Sequence, residues 1–295
     1  MRDSCNFEAV QAKVAALRTD IVRMITAAGS GHPGGSLSAV EIMATLYFGG
    51  VLNYDAENPK AEARDRFILS KGHAAPVLYA TLANAGYFPR EELTTLRAFG
   101  SRLQGHPDSL KLPGVEVSTG SLGQGLSISS GLAYALAFPA SAQSPTVFTL
   151  LGDGELQEGQ VWEAAMFAAH YRLSNLVAII DNNELQIDGA VSEVMDVRDI
   201  SAKLSSFGWY VLEADGHDVR ALYKELTTAK AHKEGPAVVV AHTVKGKGVS
   251  FMENQCGWHG KAPNAEQCAA ALDELCAPGE AALSVSDRPA DREVV

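Results

Sequence analysis

Apolar residues follow two periods along the chain, and these periods predict alternating helices and strands. Helical spacing occurs over residues 7–28 at Val10, Val14, Leu17, Ile21, Met24 and Ile25, and further helices are predicted at about 126–138 and 219–233. Short apolar runs predict buried strands at 66–70, 146–151, 176–180, 209–213 and 236–243. Because helices separate these strands, we predict one α/β domain in which helices flank a parallel sheet.

The segments outside this pattern include a glycine-rich loop at residues 29–36 and an irregular connection at 190–208. After the loop, Ser38 and Glu41 match the spacing of a capping box, which predicts a helix that begins there and runs through Phe48. The domain is predicted to span residues 1–265. Residues 266–295 are predicted to form the rest of a short helix, at about 265–276, and a mobile C-terminal tail.

The stretch from Thr146 to Gly189 combines two apolar strands with two polar loops. Asp153 lies between two glycines after the first strand, and Asn182-Asn183 follows the second. In a parallel sheet both loops lie at the carboxyl ends of their strands, where open α/β sheets bind ligands. A carboxylate and an amide oxygen suit Mg²⁺, whose remaining positions phosphate oxygens can fill. This arrangement predicts a metal-bridged diphosphate site.

Each of these loops has a simpler interpretation when it is considered alone. Asp-Gly is typical of two-residue hairpin turns, and Asn-Asn is typical of ordinary turns. The hairpin, however, requires a second strand after Gly154, whereas residues 155–170 have the composition of a helix. The occurrence of both motifs on either side of one helix favours the ligand site.

Composition limits the partners and the surroundings of the protein. The 295 residues are 46% hydrophobic and include 27 glycines, which suits a well-buried α/β domain. A net charge of −11 argues against nucleic acid or an anionic membrane as partner, although a divalent cation can still recruit an anionic ligand. No apolar run approaches the roughly 20 residues that cross a bilayer, and the N-terminus does not resemble a signal peptide. We expect a soluble, cytoplasmic protein whose four scattered cysteines are reduced.

Four of the eight histidines lie in loops flanked by glycine or proline, where there is no core for them to pack into: His32, His73, His106 and His259. Imidazole both donates and accepts hydrogen bonds near neutral pH, which suits polyhydroxylated substrates and proton transfer. Residues 100–125 form a long segment rich in Gly, Ser and Pro, which favours a functional loop. The remaining histidines in predicted elements are interpreted as structural, and His217 as a turn residue.

Several loop sequences occur together in the order found in a known family. Gly152-Asp153-Gly154, followed across one helix by Asn182-Asn183, is similar to the motif of enzymes that use thiamine diphosphate. With it, the stretches SGHPGGSLS, RFILSKGHAAPVLYA, GHPD, STGSLGQGLS and GWHGKAP resemble the diphosphate-binding domain of transketolase. The resemblance implies a thiamine-diphosphate-binding fold, with thiamine diphosphate and Mg²⁺ (or another divalent cation) as cofactors. It also implies transfer of a two-carbon ketol unit from a ketose phosphate to an aldose phosphate.

The same resemblance implies roles for individual residues. Mg²⁺ would be bound by the Asp153 carboxylate, the Asn183 side chain and the Leu185 carbonyl. Contacts to the cofactor are implied for His73, Gly120, Ser121, Leu122, Gly154, Asn183, Lys245 and His259. Contacts to substrate, and catalysis, are implied for His32, His106 and His259. From the sequence alone, Lys245 could equally be a solvated surface lysine.

The chain departs from the family in two respects. Some members have a second histidine three positions before the one that matches His259, and here that position is Cys256. A complete transketolase also continues through a pyrimidine-binding domain and a C-terminal domain, and nothing in this sequence matches them. The resemblance therefore implies a second subunit with both domains, in an α2β2 assembly. That subunit would supply the catalytic Glu and most of the groups that bind the sugar phosphate.

Three alternatives remain open from the sequence. The chain could belong to a 1-deoxyxylulose-5-phosphate synthase-like or 2-oxoacid dehydrogenase-like enzyme, which share the Gly-Asp-Gly and Asn-Asn motifs. It could be a non-catalytic partner that keeps the fold, or part of a longer enzyme. The histidine loops around His32 and His106 favour ketose chemistry over the first alternative.

Overall fold

A computed structural model describes residues 5–137 and 144–275 of the chain. In these ranges, a sheet of five parallel strands has the order β1-β2-β3-β5-β4. The strands are β1 (Arg66–Leu69), β2 (Val147–Gly152), β3 (Leu176–Asn182), β4 (Tyr210–Asp215) and β5 (Ala237–His242). The predicted α/β fold with a parallel sheet is confirmed.

Helices cover both faces of this sheet. They are α1 (Phe7–Ala28), α2 (Pro33–Leu37), α3 (Val40–Phe48), α4 (Ala75–Asn84), α5 (Gln124–Leu136), α6 (Gly159–His170), α7 (Val191–Val194), α8 (Ile200–Ser206), α9 (Val219–Ala231) and α10 (Ala265–Leu275). Short 3₁₀ turns occupy Gly72–Ala74, Arg90–Thr95, Gly154–Gln157 and Cys256–Trp258. Two strands, β1 and β2, therefore lead almost directly into helical turns at the carboxyl edge of the sheet.

Alternate side chains of β2 enter two separate hydrophobic cores. Phe148 and Leu150 pack with helices α1, α3, α4 and α9, whereas Val147 and Leu151 pack with α5, α6 and α8. All four side chains are completely buried. Burial on both faces explains why β2, β3 and β5 are apolar runs that do not alternate with polar residues, whereas the edge strand β4 is largely exposed.

The predicted start of the third helix at Ser38 is wrong. Helix α3 follows Ala39, which makes no side-chain capping bond, and Ser38 instead donates a hydrogen bond from Oγ to Asp181. Glu41 does not reach back to the helix start either, because its carboxylate pairs with Arg18. Tertiary partners have displaced the local capping arrangement.

Other departures from the predicted elements are small. Part of the glycine-rich loop is the short helix α2, and the connection at 190–208 contains α7 and α8. The predicted tail from residue 276 onward lies outside the described residues. No helix in the described ranges has the length and hydropathy needed to cross a membrane.

Candidate active site

Two polar loops meet at the carboxyl ends of β2 and β3. The strands are paired so that Gly152 lies opposite Asp181, which places the loop after β2 beside the loop after β3. Asp153 is 3% exposed, and its carboxylate accepts hydrogen bonds from the backbone N–H groups of Gly154, at 2.7 Å, and Glu184. The two loops predicted from the sequence are therefore in direct contact.

The loop after β3 presents two further oxygen atoms. The Asn183 amide donates to the Asp181 carboxylate at 3.2 Å, and its Oδ1 accepts from the N–H of Leu185 at 3.2 Å. The Leu185 carbonyl accepts a hydrogen bond from Lys245 Nζ at 2.8 Å. The three predicted metal ligands thus lie on two adjoining loops, and all three offer oxygen.

The charge on Asp153 is unfavourable in the absence of a cation. Burial raises the pKa of its carboxyl from 3.8 to about 6, and the neighbouring Asp181 carboxylate acts in the same direction. Such a group is suited to bind a divalent cation, which would compensate the buried charge. The described residues contain no cluster of three or more His, Cys, Asp or Glu side chains that could bind a metal. A site with one carboxylate, one amide and one carbonyl differs from such a cluster, and its oxygen donors fit Mg²⁺.

A buried ion pair holds these loops in place. Lys71, 2% exposed, donates from Nζ to Asp181, which is completely buried, and also to the Gly35 carbonyl at 2.9 Å. Burial alone would raise the pKa of Asp181, but Lys71 and the hydroxyl groups of Ser38 and Thr243 lower it below its usual value. Neither member of the pair is conspicuous in the sequence, because Lys71 stands in a Gly-containing loop typical of a surface. The one signal is the position of Asp181 at the end of an apolar strand.

Glu155 makes a second set of buried bonds. Its carboxylate accepts hydrogen bonds from Ser70 Oγ and from the N–H groups of Gly123, at 2.8 Å, and Gly152, at 3.1 Å. These partners belong to three separate segments of the chain. Burial raises the pKa of Glu155, and the bonds that it accepts oppose this effect. Glu155 thereby joins the 118–125 loop to the ends of β1 and β2.

The four loop histidines come together in one group. The ring centroids of His73 and His259 are 5.0 Å apart, and His32 lies 5.3 Å from His73, 5.5 Å from His259 and 6.4 Å from His106. Four loops that are far apart in sequence supply these rings. The structure therefore brings the sequence-predicted histidines into one cluster.

The clustered imidazoles are neutral at pH 7. Burial lowers the pKa of His32 to about 4 and that of His259 to about 3, with nearby cationic groups acting in the same direction. The pKa values of His73 and His106 are also lowered, again mainly by burial. Neutral rings can donate through one nitrogen and accept through the other, which suits hydroxyl recognition.

Lys245 connects the histidine cluster to the cation loops. Its Nζ lies 3.0 Å from His259 Nδ1 in addition to donating to the Leu185 carbonyl. The residue is 2% exposed, so the interpretation of Lys245 as a solvated surface lysine is wrong. Burial, assisted by the charge of Lys71, lowers its pKa to about 8. Lys245 is therefore a cationic group that contacts both the histidine cluster and the loop after β3.

Close packing positions the 118–125 loop. A side chain at Gly120, whose φ is +153°, would approach the ring of His106 to 2.9 Å, and one at Gly72 would lie 2.6 Å from the backbone of Thr119. The Leu122 carbonyl accepts from the Gln160 amide at 3.1 Å. The predicted cofactor-contacting residues 120–122 are thus next to the histidine cluster, and Gly154 is on the adjoining loop.

Three other features lie near these loops. Arg97 donates to Ser30 Oγ at 2.7 Å and lies 3.4 Å from His32 Nδ1, a contact that the sequence did not predict. Cys256 is half-buried and precedes His259 in the 3₁₀ turn. A cavity of about 650 Å³ opens beside Asp153 and Leu185, on the side of the 190–201 segment.

The histidines outside the cluster make structural contacts. His232 stacks on Tyr210, and His242 contacts Glu213 at 3.0 Å. His217 has its backbone N–H bonded to Asp215, as expected for a turn residue. Its ring also makes two partly buried hydrogen bonds.

Comparison with known proteins places this geometry in one family. Residues 9–288 match the family described as transketolase, thiamine diphosphate binding domain. The chain is 41% identical over 258 residues to a subunit of the apulose-4-phosphate transketolase of Phocaeicola vulgatus, covering 88% of this chain and 90% of that protein. It is 43% identical over 247 residues to the 6-deoxy-6-sulfo-D-fructose transketolase subunit SqwG of a Clostridium species, covering 84% and 89%.

A solved structure of a longer relative has the same fold. The transketolase of Leishmania mexicana superposes with a TM-score of 0.86 at 33% identity. The match covers 90% of this chain and 41% of that one. The chain thus spans less than half of the length of that relative, but most of the length of the two subunit proteins.

Proposed function

Because the chain belongs to the transketolase family, within its thiamine diphosphate-binding domain, we propose that it is the N-terminal subunit of a two-subunit transketolase. It acts in the transfer of a two-carbon ketol unit from a ketose phosphate to an aldose phosphate. The observation that carries this proposal is the cluster of His32, His73, His106 and His259 beside the loops of Asp153 and Asn183.

Thiamine diphosphate supplies the carbon nucleophile and the electron sink for such a transfer when it is bound. The chain binds one end of it. The Asp153 carboxylate, the Asn183 amide oxygen and the Leu185 carbonyl bind Mg²⁺ or another divalent cation, which neutralises the diphosphate. His73, Gly154 and Lys245 contact the diphosphate itself, and Gly120, Ser121 and Leu122 border the two rings.

The remaining histidines act on the sugar. His32, His106 and His259 orient substrate hydroxyl groups and move protons as neutral imidazoles. The low pKa values of His32 and His259 support the orienting role, since a neutral ring retains an accepting nitrogen for a hydroxyl group at pH 7. His259 lies against Lys245 as well, so it contacts both the sugar and the cofactor side of the site.

A second subunit completes the site. The two subunit relatives described above are named as parts of transketolases, and the whole Leishmania enzyme is more than twice as long as this chain's match to it. We propose a partner that contributes a pyrimidine-binding domain and a C-terminal domain, in an α2β2 assembly in the cytoplasm. The partner supplies the catalytic Glu and most of the groups that bind the sugar phosphate.

The proposal is tested by assaying ketol transfer with the chain alone, the partner alone and the assembled complex. We expect activity only in the complex with thiamine diphosphate and Mg²⁺, and its loss in Asp153→Ala with assembly unchanged. Pyruvate decarboxylation by the same complex would support a 1-deoxyxylulose-5-phosphate synthase-like or 2-oxoacid dehydrogenase-like function instead. Full transfer activity by the chain alone would contradict the division of the site.

A further inference from the structure

A largely buried network of three side chains connects helices α1 and α3 to the loop before α9. Arg18 donates from Nη2 to both carboxylate oxygens of Glu41, at 2.6 and 2.8 Å, and His217 Nδ1 lies 3.1 Å from Glu41 Oε2. The side chains of Arg18, Glu41 and His217 are 8%, 4% and 14% exposed. None of the three is among the residues assigned to the cofactor or the substrate.

The network contacts the loop that carries Lys245 at two points, one before that lysine in the sequence and one after it. The N–H of Val244 donates to His217 Nε2 at 2.8 Å, and Arg18 Nε donates to the Lys247 carbonyl at 3.0 Å. Because Nε2 accepts, the proton of a neutral His217 is on Nδ1, where it is donated to Glu41. One carboxylate therefore orients both of the groups that bind the loop.

The loop needs such support because it contains glycines, whose backbone can adopt many conformations. Gly246 and Gly248 have φ values of +79° and +94°, in the left-handed region that glycine adopts freely. Two backbone bonds hold the chain close to the lysine, from Gly246 N–H to the Gly34 carbonyl at 3.0 Å and from Asn254 N–H to the Lys245 carbonyl at 2.9 Å. Nζ lies within hydrogen-bond distance of two defined atoms, Leu185 O and His259 Nδ1, so the backbone that carries it must be well fixed.

We propose that Arg18, Glu41 and His217 form a clamp that positions Lys245 for the cofactor diphosphate. The inference rests on the proposed function, since it takes the diphosphate as the ligand of Lys245. The three residues touch neither substrate nor cofactor, so they are positioning residues. Their effect on the cofactor is transmitted through the backbone on either side of Lys245.

Two substitutions at His217 can distinguish a role in positioning Lys245 from a general role in the stability of the fold. In His217→Gln the side-chain oxygen reaches the position of Nε2 and still accepts from Val244. In His217→Asn the amide reaches only the position of Nδ1, so it can donate to Glu41 but leaves Val244 without its acceptor. We expect His217→Asn to weaken thiamine diphosphate binding about 10-fold, as is common for residues that support a ligand-binding group. His217→Gln should bind nearly like wild type, because it keeps the acceptor for Val244 although it gives up the contact with Glu41.

The decisive measurement is a double-mutant cycle in the assembled complex. Calorimetry with thiamine diphosphate at saturating Mg²⁺ would compare wild type, His217→Asn, Lys245→Met and the double variant, with thermal unfolding as a check on folding. If the clamp acts through Lys245, His217→Asn adds no further loss once Lys245 is replaced. Additive losses, or equal losses in His217→Asn and His217→Gln, would overturn the clamp.

A second variant and the wild type complete the design. If His217→Asn does not fold, Glu41→Gln replaces it, because it keeps the size of the side chain and weakens the pairing with Arg18. Its loss of affinity should likewise vanish in the Lys245→Met background, and an undiminished loss there would count against the clamp. Failure of the wild-type complex to bind thiamine diphosphate would contradict the proposed function itself, whereas normal wild-type binding with additive losses would contradict only the clamp.

Discussion

Single residues in this site derive their properties from burial more than from their identity. The sequence indicates that Asp153 and His259 carry chemistry, but the pKa of each depends on neighbours that are distant in the chain. Burial raises the pKa of Asp153 to about 6 and lowers that of His259 to about 3. The sequence motifs therefore identify these residues, but the fold determines their pKa values and hence their charges.

Replacement of Asp153 by Asn should stabilise the cofactor-free chain at pH 7. The folded carboxyl binds its proton more tightly than the unfolded one, so wild-type stability falls as the pH rises from about 4 to about 6 and stays lower above that. The difference between 3.8 and about 6 corresponds to about 3 kcal/mol, and one lost backbone hydrogen bond offsets about 1 kcal/mol. We expect a net gain of about 2 kcal/mol.

Urea unfolding of wild type and Asp153→Asn at pH 7 and pH 4 measures this difference. At pH 4 the wild-type carboxyl is protonated in the folded chain, so the variant should lose its advantage and become slightly less stable. An equal gain at both values would show that the charge of Asp153 is not the cause. Thiamine diphosphate with Mg²⁺ should protect only the wild type.

At the scale of elements, long-range polar contacts determine features that local patterns mispredict. Hydrophobic periodicity was sufficient for α1 and for the strands, because burial on a core face repeats with the element, and composition was sufficient for the helix between β2 and β3. The helix start at Ser38 could not be predicted in this way, since the hydroxyl bonds to Asp181, 143 residues along the chain. The buried state of Lys71 was equally hidden, because it depends on the partner that β3 supplies.

The Lys71–Asp181 pair joins the end of β1 to β3, and its loss should be severe. Lys71→Met leaves a completely buried carboxylate without its cation, which destabilises proteins by about 3–5 kcal/mol. Adding Asp181→Asn removes the unpaired charge, so the double variant should be more stable than Lys71→Met alone. Chemical denaturation at pH 7 would measure both. Lys224→Met, which removes an exposed lysine from its pair with Glu225, serves as the control and should leave the unfolding midpoint nearly unchanged.

At the scale of the whole molecule, the parallel sheet gathers the chemistry at one edge. Asp153 and Asn183 follow β2 and β3, while the four clustered histidines arrive on loops from the rest of the chain. The sequence was enough to predict that the loops of Asp153 and Asn183 meet, because parallel strands place their carboxyl ends together. That the histidines join them was expected only from the family resemblance. The supporting network of Arg18, Glu41 and His217 was not predictable, since its members contact one another only in the folded chain.

The isolated chain should be stabilised by the diphosphate end of the cofactor alone. We expect Mg²⁺ with inorganic pyrophosphate to raise its unfolding temperature nearly as much as Mg²⁺ with thiamine diphosphate, because most contacts to the pyrimidine ring would come from the proposed partner. At a ligand concentration of 100 times Kd the gain is about 2.7 kcal/mol, or several degrees for a domain of this size. Thermal unfolding with thiamine monophosphate is the control. Equal stabilisation by the monophosphate would contradict the proposal that this chain binds the cofactor through its diphosphate.

The described hydrogen bonds to the Asp181 carboxylate come from four side chains of this one chain: Lys71, Ser38, Asn183 and Thr243. The bonds that hold the proposed diphosphate site in place are thus formed within this chain, and we expect the cofactor to bind before the proposed partner docks. In that order, the exposed rings of a bound cofactor become part of the surface that the incoming partner meets. We therefore expect the proposed partner to bind the loaded chain more tightly, so that a complex with an empty chain dissociates faster.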